Sequence, residues 1–508
     1  MPEFSTVAAV DLGSNSFHCQ VGRVVGDQVY PLDALREPVR LGAGLNRDKR
    51  IEEDTQERAL ACLKRFGERL RGFDRHAVRA IGTNTLRVAK NAAAFLRKAE
   101  AALGFPIEVV AGREEARLIY LGVAHELPAS REKRLVVDIG GGSTEIVIGS
   151  GYRPQKLESL FMGCVSYSLR FFEDGKVSKS AMKEAELAAR NELQPIVARF
   201  RRGNWQQVVG SSGTVRALAD VIEQNGFGEN GITPAGLDRL RAYLIKAGDM
   251  DKVELAGLKP DRVPVFSGGL AILNAVFSEL DIDSMAVSGA AMRQGVLYDL
   301  LGRFHHRDMR DVTVAQFMQR YHVDALQARR VGSLAFSIFR RVHADSGEPD
   351  DAVATSMAWA AKLHEIGISV AFSGYHKHSA YIIANADMPG FSRDEQNRLA
   401  VLVQAHRRSL RKVARKIEES GVDWNMVFSL RLAALLYRSR ADLALPSLHA
   451  RRQGKRFRLS LEPDWLARNP LTITALHDEI REWDEIGFEI KVPGLEEPEA
   501  GGALALAS

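Results

Sequence analysis

Cysteine is scarce. The 508 residues hold three, Cys19, Cys62 and Cys164, too few and too scattered for a disulfide frame or a zinc site. None stands at a catalytic spacing from a histidine, so each is expected to be buried apolar filler. Long apolar runs are also missing. The longest fall well short of a bilayer span, and the opening MPEFSTVAAV lacks the basic start, apolar middle and small-residue cleavage site of a signal peptide. These absences point to a reducing, cytoplasmic setting, with at most peripheral attachment at an inner membrane. Aromatic residues are only 7%.

What is present is an ordinary globular composition, 45% apolar and 26% charged, in a chain too long for one core. The net charge of +5 hides an asymmetry. Residues 401–460 carry 14 Lys+Arg against 4 Asp+Glu, whereas 461–508 carry 3 against 11. A basic block followed by an acidic tail suggests a surface that faces a polyanion, with a counter-charged element beside it.

The first half alternates strand-like and helix-like segments, then restarts. Strands are expected at 7–10, 21–25, 78–81 and 107–110, and helices at 55–70, 91–103 and 114–121. DLGSNSFH begins at Asp11, and DIGGGSTE begins 127 residues later at Asp138. IGTNTLRVAKN and VGSSGTVRALAD fall at nearly the same offset, with Gly82 and Gly210 128 residues apart. Two matches at one offset predict a duplication: two related α/β lobes, roughly 1–122 and 123–305. From 306 to about 445 glycine thins out and long amphipathic runs predict an all-helical domain. Residues 446–508 return to short strand-like alternation, with a helix at 472–485, as a small α+β domain with an acidic tail whose end is expected to be disordered.

The repeated turns carry the chemistry. Glycine lets backbone approach a ligand closely, while N–H groups and Ser or Thr hydroxyls donate to phosphate oxygens. A carboxylate beside such a cradle repels phosphate, so its natural partner is a divalent cation, often through water. Asp11 and Asp138 are thus candidate metal carboxylates. Ser14, Asn15, Ser16, Gly141, Gly142, Ser143 and Thr144 are candidate phosphate donors. The second pair of turns adds Thr83, Thr85 and Arg87, then Ser211, Ser212, Gly213 and Thr214 at an expected helix N-terminus, where the dipole favours an anion. A hydrolase also needs a group to orient water. In EVVAGREEARLIYLG, Glu114 and Glu115 open a helix. Adjacent helical residues point about 100° apart, and Glu115, sharing a face with Ile119 and Gly122, is the candidate.

Taken together, DLGSNSFH, GTNTLR, AGREEARLIYLGV, VVDIGGGSTE, MGCVS, GSSGT and GVLYDLLGR resemble the exopolyphosphatase and guanosine pentaphosphate phosphatase family, within the actin-like, ribonuclease H-like superfamily of sugar kinases and ATPases. The likeness continues at AAKLHEIGISV, YHKHSAYIIANADMPGFS and LVQAHRR, which resembles the long, four-domain exopolyphosphatases. The resemblance implies processive hydrolysis of the terminal phosphoanhydride of inorganic polyphosphate, with Mg²⁺ required and K⁺ stimulating, in a homodimer. It places Glu115 on the catalytic carboxylate, Asp138 and Glu145 at the magnesium and water site with Asp11 facing them, and Asn15, Arg87, Ser143 and the GSSGT turn on phosphate contacts.

The helical domain resembles an HD-type phosphohydrolase with departures. His364-Glu365 stands for the His-Asp pair and Gln327 for a first His, so a degenerate form without a hydrolytic metal is expected. His376, His378 and His406 are then structural or phosphate contacts rather than ligands. In HRRSLRKVARKI, helical spacing would stack Arg407, Arg411 and Arg415 beside Arg408, Lys412 and Lys416, a cationic face for a polyphosphate channel that His378 joins, with Arg451, Arg452, Lys455, Arg456 and Arg458 extending it. No aromatic residue interleaves these to stack bases, so polyphosphate rather than nucleic acid is the expected partner. The rival readings are guanosine pentaphosphate hydrolysis, a kinase or ATPase using VFSGGLAILNAVF for adenosine, and a non-enzymatic polyphosphate sensor.

Overall fold

The computed structural model describes residues 4–128, 130–229, 231–304, 308–343, 351–442 and 445–495. The acidic end beyond 495 and the 305–306 junction lie outside the described residues. By contacts the chain forms two compact units: the residues through Met309 together with Pro389–Arg393, and the remainder from Arg310 onward.

The first unit holds two five-stranded mixed sheets of one topology. Strands β1 (Thr6–Leu12), β2 (Phe17–Val25), β3 (Gln28–Glu37), β4 (Val78–Gly82) and β5 (Ile107–Val109) lie in the order β3-β2-β1-β4-β5. Strands β6 (Lys133–Ile139), β7 (Thr144–Ser150), β8 (Arg153–Leu160), β9 (Gln207–Ser211) and β10 (Ala286–Val287) lie as β8-β7-β6-β9-β10, the same order read from the matching edge. In each sheet the first three strands are antiparallel and the last two run parallel to the first. The duplicated α/β lobes expected from the sequence are therefore present. Sequence reasoning missed the edge strands β3 and β8, which are half-exposed and charged, as edges that must resist pairing with other chains commonly are.

Strand alternation explains where the two aspartates go. Ala8, Val10 and Leu12 face the core of lobe I, while Val7 and Ala9 face a central cluster. Leu135, Val137 and Ile139 face the core of lobe II, while Val136 faces the same central cluster. With a period of two, Asp11 continues the Val7–Ala9 row and Asp138 the Val136 row. Both carboxylates thus end on the side shared by the lobes. That shared layer is built by the helices Gly112–Glu126 and Met292–Phe304. They pack backbone to backbone: a Cβ on Gly295 would stand 1.7 Å from the Leu118 carbonyl oxygen.

The segment around Val265 and Phe266 is one helix, Val263–Leu280. By length and composition it could span a membrane, contrary to the expectation that every apolar run falls short, yet 72% of it is buried inside the protein. It is the central helix of lobe II.

The described residues of the second unit are mainly helical up to Leu436 and close on a three-stranded sheet, β11 (His449–Gln453), β12 (Arg456–Ser460) and β13 (Glu489–Lys491), backed by the helix Pro470–Asp484. Trp424 and Phe428 of the helical part join Phe457, Trp483 and Phe488 of the sheet part in one aromatic core, with Phe428 and Phe457 stacked at 4.1 Å.

One expectation fails here. Residues 406–417 are not a continuous basic helix: one helix ends at Ala405, Arg408 has φ +65°, and the next helix begins only at Ala414. The buried Arg431 organises the turn, donating to the carbonyls of Ala405 at 2.7 Å and Arg408 at 3.0 Å. Its charge is met by Glu479, while Glu482 accepts from the Leu410 N–H at 2.8 Å. The acidic C-terminal helix therefore neutralises and caps a turn. Arg408, Arg411, Lys412 and Arg415 are exposed but form no i,i+4 stripe; Arg415 pairs with Glu419, Arg407 lies over the Tyr375 ring, and His378 is half-buried. Of the basic residues beyond, Arg452 packs on Phe457 and Phe488, and Arg456 pairs with Glu489.

Candidate active site

Between the lobes of the first unit lies a cleft of about 640 Å³. Asp11, Ser14, Asn15, Ser16, Thr83, Glu115, Asp138, Gly141, Gly142, Ser143, Ser212, Gly213 and Thr214 line it, so most residues singled out from the repeats converge on one space. Glycine is required where the turns meet: a Cβ on Gly142 would come within 2.7 Å of Asn84 Oδ1, and one on Gly141 within 2.9 Å of Ser14 Cβ. The lobe II turn can touch lobe I only without side chains.

Four predicted contacts lie elsewhere. Thr85 is buried and donates to Ser14 Oγ at 2.8 Å. Thr144 is fully buried and donates to the Met162 carbonyl at 2.6 Å, because it is the first residue of β7 and points into lobe II. Ser211 is also fully buried and donates to Asp138 Oδ2; it orients the carboxylate instead of facing a ligand. Arg87 donates to Glu115 Oε2 at 2.6 Å and to the Val110 carbonyl at 3.0 Å, so it holds the candidate base. Glu145 stands opposite Asp138 in the β6–β7 register, as His18 stands opposite Asp11 in β1–β2. Ser159 donates to Glu145 Oε1 at 2.8 Å.

The first turn of the helix Gly112–Glu126 points its two glutamates apart as the 100° spacing requires. Glu115 faces the cleft. Glu114 is 3% exposed and faces away, accepting from Arg117 at 2.7 and 2.8 Å and from the Gly390 N–H at 2.9 Å. Arg117 also bonds Asp299, which accepts from Arg79 at 2.6 Å. Burial pushes the Asp299 carboxyl upward, but the Arg117 and Arg79 charges outweigh it and hold the group well below the usual carboxylate range. Asp299→Ala strips two buried guanidinium groups of their shared anion. It is expected to cost about 3–5 kcal/mol of stability, read as a lowered urea midpoint at unchanged m; a change below 1 kcal/mol on that plot would show the network to be dispensable.

The Ppx/GppA phosphatase family matches residues 20–304, and its domain III matches 309–480. A Vibrio cholerae protein named guanosine-5′-triphosphate,3′-diphosphate pyrophosphatase is 36% identical over 486 residues, 96% of this chain and 97% of that one. This chain belongs to the Ppx/GppA phosphatase family. Among solved structures, an exopolyphosphatase from Cytophaga hutchinsonii is 26% identical, with a TM-score of 0.53, over 59% of this chain and 98% of that one.

The cleft carries both carboxylates and guanidinium groups. Burial pushes the Asp11 carboxyl up to about 7, with the Glu115 and Asp138 charges adding and Arg293 opposing. Burial likewise pushes Asp138 up to about 6, against the Ser211 hydrogen bond. Glu145 is raised by burial and by Glu115 and Asp138. Asp11 Oδ1 and Glu145 Oε2 are buried with no hydrogen-bond partner. Crowded carboxylates with free lone pairs fit a divalent cation. Among the described residues no group of three or more His, Cys, Asp or Glu side chains is placed to hold a metal ion by itself.

Beside these carboxylates stand cations that sequence reasoning missed: Arg36, Arg216, Arg262 and Arg293 line the cleft and surround His18, whose imidazole burial and these charges keep neutral. Burial lowers Arg293 and Arg262 from the ordinary guanidinium value. Arg216 was legible. With one residue inserted at Gly213, GSSGTVR aligns Arg216 with Arg87 of GTNTLR. Arg36 on an edge strand and Arg293 after an unremarkable SGAAM had no such signal. Asn84, whose Nδ2 is buried without a partner beside Gly142, is a further donor in the same turn as Thr83.

Proposed function

We propose that this chain hydrolyses the terminal 5′ phosphate of guanosine pentaphosphate, releasing orthophosphate. The observation that carries the reading is the 36% identity over 96% of the chain to the Vibrio cholerae pyrophosphatase of that nucleotide. The sequence placed inorganic polyphosphate first, on its resemblance to the long exopolyphosphatases and on the basic C-terminal segments; the basic helix expected among these is interrupted at Arg408, which weakens the second ground. Exopolyphosphatase activity remains the second reading, supported by the likeness to the Cytophaga hutchinsonii exopolyphosphatase.

In this mechanism Ser14, Asn15, Ser16, Ser143 and the Ser212–Thr214 turn donate to the oxygens of the terminal phosphate. Glu115, fixed by Arg87 at 2.6 Å, orients a water toward the phosphorus and takes its proton as the new P–O bond forms. The anhydride P–O bond breaks, and the electron pair leaves on the bridging oxygen of the shortened nucleotide. Asp11, Asp138 and Glu145 would hold Mg²⁺ through water, and the ion supplies charge neutralisation at the phosphoryl oxygens. Arg36, Arg216, Arg262 and Arg293 meet the negative charge of the rest of the substrate.

The test measures orthophosphate release, with Mg²⁺, from guanosine pentaphosphate and long-chain polyphosphate supplied separately and together. The expected result is a kcat/KM at least about tenfold higher for the nucleotide, an advantage of about 1.4 kcal/mol in the transition state. Degradation of polyphosphate with the nucleotide untouched would replace this reading by the second.

A further inference from the structure

One of the cleft arginines is already engaged. Arg36 Nη2 donates to Asp261 Oδ2 at 2.5 Å and stands 3.4 Å from Ser16 Oγ. Strand register explains how an edge-strand residue reaches the cleft. Asp11 pairs with His18 across β1–β2, and His18 with Arg36 across β2–β3. Directly opposed residues share a face of the sheet, so Arg36 continues the row that carries Asp11 to the side shared by the lobes. Asp261 comes from the other lobe, just before the helix Val263–Leu280.

The same oxygen, Asp261 Oδ2, lies 3.9 Å from Arg262 Nε. Arg262 in turn lies on the phosphate turn of lobe II, where a Cβ on Gly213 would stand 2.1 Å from Arg262 Nη2. Cleft-lining guanidinium groups from both lobes therefore meet on one carboxylate, with Ser16 beside one of them and Gly213 beside the other. Burial pushes the Asp261 carboxyl up, but Arg36 and Arg262 outweigh it and hold the group below the ordinary carboxylate value. The side chains of Arg36 and Asp261 are 38% and 25% exposed, so the pair can open without unpacking a core.

A carboxylate and a phosphate compete for the same guanidinium donors. We propose that Asp261 is a specificity-determining residue: a resident anion that bridges the lobes in the substrate-free protein and that a phosphoanhydride chain displaces from Arg36 and Arg262. A lone carboxylate offers these arginines no more than Asp261 already gives. A phosphate chain presents several charged oxygens to both arginines and to Ser16 at once, and so opens the bridge. The inference rests on the phosphate-binding reading of the cleft, but not on which phosphoanhydride is hydrolysed.

The test measures binding of inorganic tripolyphosphate with Mg²⁺, by titration calorimetry, to the full-length Glu115→Gln protein, so that turnover does not intrude. Adding Asp261→Asn is expected to lower the Kd about threefold, the scale of one partly exposed ion pair. Arg36→Ala should raise the Kd, and in that background Asp261→Asn should change it little, because the bridge is already gone. Asp220→Asn removes another carboxylate of the cleft lining; its effect should be the same with or without Arg36, which separates displacement of a partner from a general change of charge. Absence of binding, a Kd unchanged by Asp261→Asn, or additive effects of Asp261→Asn and Arg36→Ala overturns the proposal. Failure of the nucleotide reading would leave these Kd values as expected and show only in the comparison of orthophosphate release.

Discussion

Glu115→Gln is expected to lower kcat for orthophosphate release by about a thousandfold, within the range for removing a general base, while KM stays within about twofold. The substitution keeps the shape and leaves an amide oxygen that can still accept from Arg87, so the helix Gly112–Glu126 should not move. Its other side is anchored independently, through Glu114, Arg117 and Asp299. A folded Glu115→Gln protein that retains a tenth or more of wild-type kcat would remove Glu115 from the chemistry and leave the cleft as a phosphate-binding site. The control is Glu114→Gln. Its carboxylate is bonded away from the cleft, so it should lose stability and leave the pH–rate profile of the folded enzyme unchanged.

The second large effect lies in the carboxylate cluster. Burial pushes Asp11 up to about 7 and Asp138 up to about 6 from an ordinary 3.8, so the folded state holds protons that the unfolded chain releases. Such groups stabilise most below the unfolded value, and that contribution is lost as pH rises from about 4 through about 7. The metal-free protein should therefore melt lower at pH 8 than at pH 5 on account of these groups. Mg²⁺ should raise the melting temperature more at pH 8, where the carboxylates are ionised. Asp138→Asn removes one buried charge, leaves an oxygen for the Ser211 hydroxyl, and should raise the metal-free melting temperature at pH 8 by about 3 °C or more. The same change should cut kcat by about a hundredfold or more. Melting curves at the two pH values, with and without Mg²⁺, decide the matter. Equal midpoints for wild type and variant at both would mean that the cluster carries no stored repulsion.

Much of the site was legible because it is written twice. Asp11 and Asp138, the glycines of the second turn, and the small polar turns after β4 and β9 repeat at one offset, and a repeat separates ligand chemistry from ordinary hairpins. The alternation that buries Val7 and Ala9 on one side carries Asp11 to the shared layer with them. Helical spacing alone separates Glu115 from Glu114. Where local pattern met tertiary context, the reading faltered. Thr144 sits inside the repeated motif, yet strand parity turns its hydroxyl to the Met162 carbonyl. Arg87 looked like a phosphate clamp, but its partner Glu115, 28 residues on, takes the guanidinium first.

The basic segment shows the limit most clearly. HRRSLRKVARKI has helical spacing, and nothing within twelve residues forbids a helix. The break comes from Arg431, which needs carbonyl partners for a buried guanidinium and takes them from Ala405 and Arg408, and from Glu482, which claims the Leu410 N–H. The sequence by itself determined the duplicated lobes, the paired aspartates and the repeated Gly-rich turns, because periodicity and repetition are local properties of the chain. The tertiary structure alone decided which charges face the cleft and which are spent on each other, because a buried charge takes whatever partner the fold brings within reach.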